Sequence, residues 1–240
     1  MKNIKVQSCD LILEVTRRCN MSCEHCLRGC AQNVDMTNEI VDKALSYVSS
    51  IGCLTLTGGE PTLNMDLVRY IFEEIHRREI PMSSFYIVTN GKVNQMDLAL
   101  LTLQEIVHCD DPEVCGVAIS KDIFHDHLAE ESPLQYLTFY RNDKEMGDYY
   151  KGDGVILRGR AENFGTGREM NPTIEFDIVD AVERESEIQV CMDGYLYISA
   201  LGEVCADCDL SYDMMKDYKV GDLDRMDQLL QDAYEQYINE

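Results

Sequence analysis

Short apolar segments alternate with longer amphipathic segments along the first two thirds of this 240-residue chain. Five short segments rich in apolar and β-branched residues predict strands: residues 11–16, 53–57, 85–89, 115–120 and 154–160. Their starts lie roughly 30 to 40 residues apart, which is the size of one strand-and-helix unit. The first four are apolar on both faces, which is typical of buried strands in a parallel sheet.

Apolar residues at helical spacing predict three helices between these strands, over residues 35–50, 64–78 and 94–108. Thr37 is a suitable N-cap for the first of them, because its hydroxyl can accept from a free backbone N–H. Alternating strands and helices predict an α/β fold with a parallel sheet, open or closed. Ligands of such folds bind at the carboxyl ends of the strands.

The pattern loosens after about residue 162. Residues 161–173 predict a loop, because they contain glycines and a proline. Residues 188–212 predict a hairpin with its turn at Asp193-Gly194, and a last amphipathic helix is predicted from about Asp222. We therefore divide the chain into a main unit, residues 1–162, and an extension, residues 163–240.

The charge of the chain is strongly negative, with 44 acidic and 21 basic residues and a net charge of −23. Such a field repels a phosphate backbone, so nucleic acid is excluded as the main partner. The sequence has no run of 18 apolar residues, so no membrane association is expected. The first ten residues lack the apolar stretch of a secretory signal, and a cytoplasmic location is the expectation.

The eleven cysteines indicate metal binding or redox chemistry, because a reducing compartment disfavours disulfides. Cys19, Cys23 and Cys26 follow the first predicted strand with the spacing C-x3-C-x2-C. Thiolates are the usual ligands of iron–sulfur clusters. Three thiolates leave one iron of a 4Fe–4S cluster without a protein ligand, and catalysis needs such an open metal position.

Two other metal sites are alternatives to the open cluster. A zinc site could be completed by Cys30 or His25, although structural zinc ligands usually come as two pairs with a longer spacer. A closed cluster with Cys30 as fourth ligand would make the protein an electron carrier, but ferredoxin-type runs begin C-x2-C-x2-C and end with a proline. Neither spacing fits, and we interpret Cys30 as a bystander.

The segment Gly58-Gly59-Glu60-Pro61 directly follows the second predicted strand. Glycines allow a ligand to approach the backbone closely, and a carboxylate can accept hydrogen bonds from an ammonium group. The alternative role for Glu60 is that of a solvated carboxylate in a turn.

The cysteine loop after the first strand and the GGEP segment after the second together resemble the signatures of the radical S-adenosylmethionine (SAM) superfamily. The resemblance covers residues 10–160 and implies a partial TIM barrel of about six βα units, with a 4Fe–4S cluster on Cys19, Cys23 and Cys26. It also implies an enzyme whose reduced cluster cleaves SAM to methionine and a 5′-deoxyadenosyl radical, which removes a hydrogen atom from the substrate. A one-electron donor such as a flavodoxin or ferredoxin is the implied partner.

The resemblance also implies a set of SAM-binding residues: His25, Gly58, Gly59, Glu60, Asn90, Ser120, Asp122, Arg158 and Arg160. His25 takes the place of an aromatic residue before the third cysteine, and the GGEP segment would hold the methionyl amino group. Asn90, Ser120 and Asp122 would contact methionyl or ribose groups, and Arg158 or Arg160 would meet the carboxylate. The alternatives are a turn at Asn90, helix capping by Ser120 and Asp122, and a structural salt bridge for either arginine.

The extension resembles a truncated form of the tail called SPASM or twitch, which carries auxiliary iron–sulfur clusters. The similar features are Gly194, Gly202, the Cys205 and Cys208 pair and residues 219–223. An auxiliary cluster on Cys191, Cys205 and Cys208 is one interpretation, and a hairpin with reduced, partly buried thiols is the other. Tails of this type favour a peptide or protein substrate. A small molecule or nucleotide is the alternative substrate, and a non-catalytic electron carrier or binding module is the alternative class.

Overall fold

A parallel sheet forms the centre of the molecule. The computed structural model describes residues 2–120, 124–125, 131–137, 155–165 and 167–239. Its first four strands are β1 (Asn3–Thr16), β2 (Val48–Gly58), β3 (Met82–Thr89) and β4 (Gly116–Ile119), in the order β4-β3-β2-β1. Each pairs in parallel with its neighbour. The first four predicted strands are therefore confirmed, and so is the α/β class with an open, partial barrel.

Three helices link these strands: α1 (Asn38–Ser46), α2 (Met65–Arg77) and α3 (Gln95–Ile106). The hydroxyl of Thr37 accepts a hydrogen bond from the backbone N–H of Ile40, so the predicted N-cap of α1 is confirmed. Short 3-10 turns lie at Pro61–Asn64, Pro112–Val114, Pro133–Tyr136, Gly159–Ala161 and Leu223–Arg225. None of the described helices is long and apolar enough to cross a membrane.

The extension adds strands to the other side of β1. They are β5 (Asp177–Glu183), β6 (Glu187–Asp193), β7 (Tyr195–Ile198), β8 (Glu203–Cys205) and β9 (Gly221–Asp222). The helices α4 (Met215–Tyr218) and α5 (Met226–Asn239) complete it, and α5 confirms the predicted last helix.

The predicted turn at Asp193-Gly194 is wrong, because β6 and β7 run in the same direction beside β1. Gln7 pairs with Cys191 and Asp10 with Tyr195, so the β6–β7 side carries one extra residue. Gly194 has a φ of +80°. It therefore makes a bulge in a continuing strand rather than a chain reversal. The hairpins are instead β5–β6 and β7–β8, which pair antiparallel.

The predicted strand at residues 154–160 is also wrong for its described part, residues 155–160. Ile156 forms an isolated bridge with Arg168, and Gly159–Ala161 forms a 3-10 turn. Gly159 has a φ of +59°, and a Cβ there would clash with backbone of the cysteine loop at Leu27 and Cys26. The segment packs on that loop instead of joining the sheet.

The period of two along the strands separates the core from the functional face. Residues such as Leu11, Leu13, Leu54, Leu56 and Phe85 are buried in the main hydrophobic core. Alternate positions face the other side of the sheet and line a cavity there: Ile12, Thr55, Thr57, Tyr86 and Val88. The sheet therefore supplies the floor of the cavity.

Candidate active site

A cavity of about 360 Å³ lies where β1, β2, β3 and β4 end. It brings together most of the site residues predicted from sequence. These lining residues are Cys19, Cys23, His25, Cys26, Gly58, Gly59, Asn90, Ser120 and Arg160. Asp122 lies outside the described residues, and Glu60 and Arg158 have other surroundings. The carboxyl ends of the strands thus collect the candidate chemistry, as expected for a parallel α/β fold.

The cysteine loop, which carries Cys19, Cys23 and Cys26, is closed at its base by backbone hydrogen bonds and contains a tight turn. At the base, the backbone N–H of Arg17 donates to the Val34 carbonyl (2.8 Å), and that of Gln32 donates to the Arg17 carbonyl (3.0 Å). At the turn, the N–H of Cys26 donates to the Cys23 carbonyl (3.3 Å). This backbone directs three half-buried thiols into one cavity.

The donor set fits an iron–sulfur cluster. Thiolates are the ligands that iron–sulfur clusters use in proteins, and three half-buried thiols line one cavity here. Burial raises the pKa of the Cys19 thiol. A thiolate at Cys19 is therefore unfavourable unless a positive charge such as bound iron compensates for it.

Cys30 has different surroundings from the other cysteines of the loop. It is exposed and lines a neighbouring cavity of about 640 Å³ together with Gln32 and Met214. This placement agrees with its interpretation as a bystander.

The two glycines of the GGEP segment are required by the backbone of the cysteine loop. A Cβ at Gly58 would clash with the carbonyl oxygen of Thr16, and one at Gly59 with that of Arg18. The N–H of Gly59 donates to the Thr16 carbonyl (2.7 Å), and that of Glu60 donates to the Arg18 carbonyl (2.8 Å). The segment therefore fixes the chain that leads into Cys19, while both glycines line the cavity.

The Glu60 carboxylate is fully buried and has four donors within the protein. Its Oε1 accepts from the N–H of Thr62 (3.1 Å), the hydroxyl of Thr62 (2.5 Å) and the hydroxyl of Thr89 (2.7 Å). Its Oε2 accepts from the N–H of Asn90 (2.7 Å). Glu60 thus joins the end of β2 to the end of β3, and its contact with a ligand ammonium stays a prediction.

Replacing Glu60 with glutamine should lower the free energy of unfolding by about 1–3 kcal/mol, because the amide group would face donors and leave one buried donor without an acceptor. Urea unfolding measures this difference. Glu185→Gln, in the exposed β5–β6 turn, is the matched control and should change stability by less than about 0.5 kcal/mol. Equal stability of Glu60→Gln and parent would contradict this account of Glu60.

Asn90 links the third strand to the cysteine loop. Its side chain is buried, and Nδ2 donates to Oδ1 of Asn20 at 2.8 Å. Its Oδ1 accepts from the backbone N–H of Lys92 (3.0 Å), which is the turn expected for an Asn-Gly pair. Ser120 follows β4, where its N–H donates to the Thr89 carbonyl (2.9 Å).

The two candidate arginines have different environments. Arg158 is buried and contacts Asp207 (Nη1 to Oδ2, 3.4 Å), the Asp209 carbonyl (2.5 Å) and the Met170 carbonyl (2.7 Å). It thereby anchors the extension. Arg160 lines the cavity, and its buried Nε has no hydrogen-bond partner among the described residues. Arg160 is therefore the arginine placed to meet an anionic ligand.

Comparison with known proteins identifies the family of this site. Residues 13–127, which include the cysteine loop and the GGEP segment, match the family model described as "Radical SAM superfamily". Residues 13–127 are thus a radical SAM domain. "Uncharacterized protein MJ0907" of Methanocaldococcus jannaschii is 36% identical over 66 residues, which are 26% of this chain and 23% of that protein's length.

Two solved structures share the fold of this chain. Native anSMEcpe with bound AdoMet and Cp18Cys peptide superposes with a TM-score of 0.53 and 13% identity, covering 94% of this chain and 79% of that chain. A histidine-tagged form of anSMEcpe with bound AdoMet gives a TM-score of 0.52 and 13% identity, covering 93% of this chain and 80% of that chain. At this level of identity the likeness concerns the fold.

Sequence reasoning found no pattern for His125, but the fold brings it close to the cysteines. Its Nε2 lies 3.5 Å from Sγ of Cys23. The neighbouring Phe124 stacks on the ring of His25, with centroids 4.3 Å apart. No spacing in the sequence relates these residues to the cysteine loop, since about 100 residues separate them.

The extension forms another wall of the cavity, through Tyr195, Cys208, Asp209 and Tyr212. Ligand atoms of Asp207, Cys208 and Asp209 lie within 4.8 Å of one another. These residues were not predicted as part of the cavity, because the predicted hairpin gave no position for the loop that follows β8.

The three cysteines of the extension do not converge. Cys205 is buried in a cluster with Tyr197 and Leu210, and it pairs with Tyr197 across the β7–β8 hairpin. Cys191 pairs with Gln7 of β1 and Tyr197 pairs with Ile12, so five residues of β1, roughly 17 Å, separate the two. Burial raises the pKa of Cys205 and of Cys208 to about 12. The topology thus separates Cys191 from Cys205, and an auxiliary cluster in the extension stays a prediction.

Arg17 ties the cysteine loop to the extension. Its Nε contacts Oε2 of Glu14 and its Nη2 contacts Oε2 of Glu203, both at 2.8 Å. Nη1 donates to Oε1 of Gln32 (3.3 Å), and the guanidinium lies 4.6 Å from the ring centroid of Tyr212. The buried side chain of Arg17 thus connects β1, the end of the cysteine loop at Gln32 and the extension.

Arg28 makes a second link between the same parts. Its guanidinium donates to the carbonyls of Leu210 (2.5 Å) and Cys208 (2.7 Å). It also lies 5.0 Å from the ring centroid of Tyr197. The cysteine loop and the extension therefore form one packed unit around the cavity.

Proposed function

We propose that this protein is a radical SAM enzyme in which Cys19, Cys23 and Cys26 bind a 4Fe–4S cluster and the adjoining cavity binds SAM. The observation that supports the proposal best is the convergence of the three thiols, the GGEP backbone and Arg160 on one cavity. When bound, the cluster and SAM would supply a 5′-deoxyadenosyl radical that removes a hydrogen atom from a substrate.

The residues around the thiols would bind and orient SAM. The guanidinium of Arg160 would bind the carboxylate of SAM. The backbone at Gly58 and Gly59 lies open on the cavity side for the methionyl amino group, and Glu60 holds that backbone in place. Asn90, Ser120, Asp122 and His25 complete the proposed set, and Arg158 acts through the extension rather than on SAM.

The cavity walls would keep water from the reacting groups. Ile12, Tyr86 and Val88 form an apolar floor, and the extension covers another side with Tyr195 and Tyr212. Excluding water protects a reactive species from side reactions. The packed unit of loop and extension is thus part of the proposed active site.

A peptide or protein is the substrate that we propose. Support comes from the likeness in fold to anSMEcpe, one structure of which contains the Cp18Cys peptide, and from the resemblance of the extension to tails of peptide-modifying enzymes. A flavodoxin or ferredoxin is the proposed one-electron donor. The cytoplasmic location stays a prediction from the sequence.

Anaerobically reconstituted protein should form 5′-deoxyadenosine and methionine when dithionite and SAM are added, and liquid chromatography would measure both. Omitting dithionite is the control and should give neither product, because cleavage requires one electron. Protein with a full iron and sulfide content that forms no 5′-deoxyadenosine would contradict the proposed enzyme.

A further inference from the structure

The outward face of α3 carries a continuous row of apolar side chains, which we call the α3 stripe. Its members are Met96 (61% exposed), Leu100 (59%), Leu103 (54%) and Val107 (75%). They follow one another at intervals of four, three and four residues, so they lie within about 60° of the helix circumference and extend about 16 Å along it. Single exposed apolar residues are common, but a contiguous row indicates a binding surface.

The α3 stripe lies in an uncharged part of a strongly acidic chain. The sequence has no charged residue between Asp97 and Glu105, and Glu105 is buried. The Asp97 carboxylate pairs with Arg69 of α2 at 3.4 Å. Two copies of this chain, each with a net charge of −23, repel one another in most orientations. The α3 stripe is a face on which two copies can meet without bringing acidic side chains together.

The spacing of the α3 stripe is the same in both directions along the helix. A two-fold axis through the middle of α3 would place two copies of the helix antiparallel. Leu100 of each copy would then face Leu103 of the other, and Met96 would face Val107. Alternating steps of three and four residues are also typical of helices that pack side by side. The stripe is therefore complementary to itself, as a two-fold symmetric dimer requires.

Tyr136 adds an exposed side chain beside α3. It is 83% exposed and ends the 3-10 turn Pro133–Tyr136. The hydroxyl of Ser132, just before this turn, donates to Oε1 of Gln95 in α3 (2.7 Å). An interface of one helix and one flanking turn lies at the small end of specific interfaces, roughly 1,200 Å² in total. A dimer formed there should dissociate on dilution.

We propose that the α3 stripe binds a second copy of this chain in a two-fold symmetric dimer with antiparallel α3 helices. On the opposite side of α3, Leu98 and Leu101 belong to the main hydrophobic core, which lies on the face of the sheet away from the cavity. The stripe points outward from that core and does not line the cavity. The dimer is therefore separate from the proposed active site and does not depend on the proposed function.

Analytical ultracentrifugation of the full chain over a range of concentrations tests the dimer. A thiol reductant is present, so that the exposed Cys30 cannot link chains by a disulfide. The parent should pass from 27.4 kDa to twice that mass as its concentration rises, and added salt should strengthen the dimer because it screens the repulsion. Leu103→Glu should weaken the dimer about tenfold or more, because the interface would bury carboxylates without partners. Ile238→Glu is the matched control, since Ile238 is an equally exposed apolar residue on α5 (57%), and it should dimerise like the parent.

Mixed variants test the antiparallel arrangement. Leu100→Lys and Leu103→Glu should each dimerise poorly alone, whereas their equimolar mixture should form a heterodimer, because the new ammonium would face the new carboxylate. A mixture of Leu103→Glu with Val107→Lys is the control and should dimerise less, since the two-fold arrangement keeps these positions apart.

Circular dichroism separates lost association from lost folding. Each variant should keep the spectrum of the parent, because the substituted side chains are more than half exposed. A parent that stays monomeric at every concentration would overturn the proposal and leave the α3 stripe to a different protein. Leu103→Glu that is folded and dimerises as tightly as the parent would also overturn it, because the contact between copies would then lie elsewhere.

Discussion

Cys26→Ala should lose the catalytic cluster and all SAM cleavage, whereas Cys30→Ala should keep both. Cys26 lines the cavity with Cys19 and Cys23, and two remaining thiolates would hold a four-iron cluster poorly. Cys30 is exposed in the neighbouring cavity, so its removal leaves the donor set unchanged. Iron and sulfide analysis measures the cluster, and 5′-deoxyadenosine formation measures cleavage.

The extension affects how this experiment is designed. Cys208 lines the same cavity as the three cysteines, so both variants should also be made in a Cys208→Ser background. Electron paramagnetic resonance of the reduced parent should change when SAM is added, and Cys30→Ala should respond alike. If the spectrum of the parent does not change when SAM is added but that of Cys30→Ala does, Cys30 is the fourth ligand of the cluster. The open-iron interpretation would then be wrong.

Arg17→Met should lower the free energy of unfolding by about 3–5 kcal/mol and reduce the iron that the protein retains. Arg17 is 2% exposed and pairs with Glu14 and Glu203, which are also buried. Removing one member of a buried ion network leaves the other charges without compensation. The loop base at Arg17 and Gln32 would loosen as well, which would disturb the positions of the thiols. Urea unfolding and iron analysis measure the two effects.

Arg18→Met is the matched control, because it makes the same chemical change at the next residue. The Arg18 side chain pairs with Asp35 at 2.8 Å in a half-exposed position, and exposed ion pairs contribute about 1 kcal/mol or less. Arg17→Lys should fall between the two, since it keeps the charge but loses the planar geometry. Similar losses of stability and iron in Arg17→Met and Arg18→Met would contradict the role assigned to Arg17.

Short-range sequence patterns were sufficient to predict much of the fold and of the candidate site. The strands β1 to β4, the helices that follow the first three of them and the cap at Thr37 were all predicted from sequence. Apolar periodicity and capping act over a few residues, so a short window contains their cause. The cysteine loop and the GGEP segment were placed after the first two strands for the same reason, and parallel topology brings the ends of neighbouring strands together.

Long-range contacts decided the rest. The sequence at Gly194 is compatible with either a turn or a bulge. Because β6 and β7 both pair with β1, the chain forms a bulge there. Residues 155–160 are apolar enough for a strand, but packing against the cysteine loop bends them at Gly159. Arg158 and Arg160 look equivalent in sequence. Arg158 contacts Asp207 of the extension, whereas Arg160 lines the cavity, and these surroundings come from residues remote along the chain. Burial and partners depend on residues far apart in the chain, so the tertiary structure assigns them.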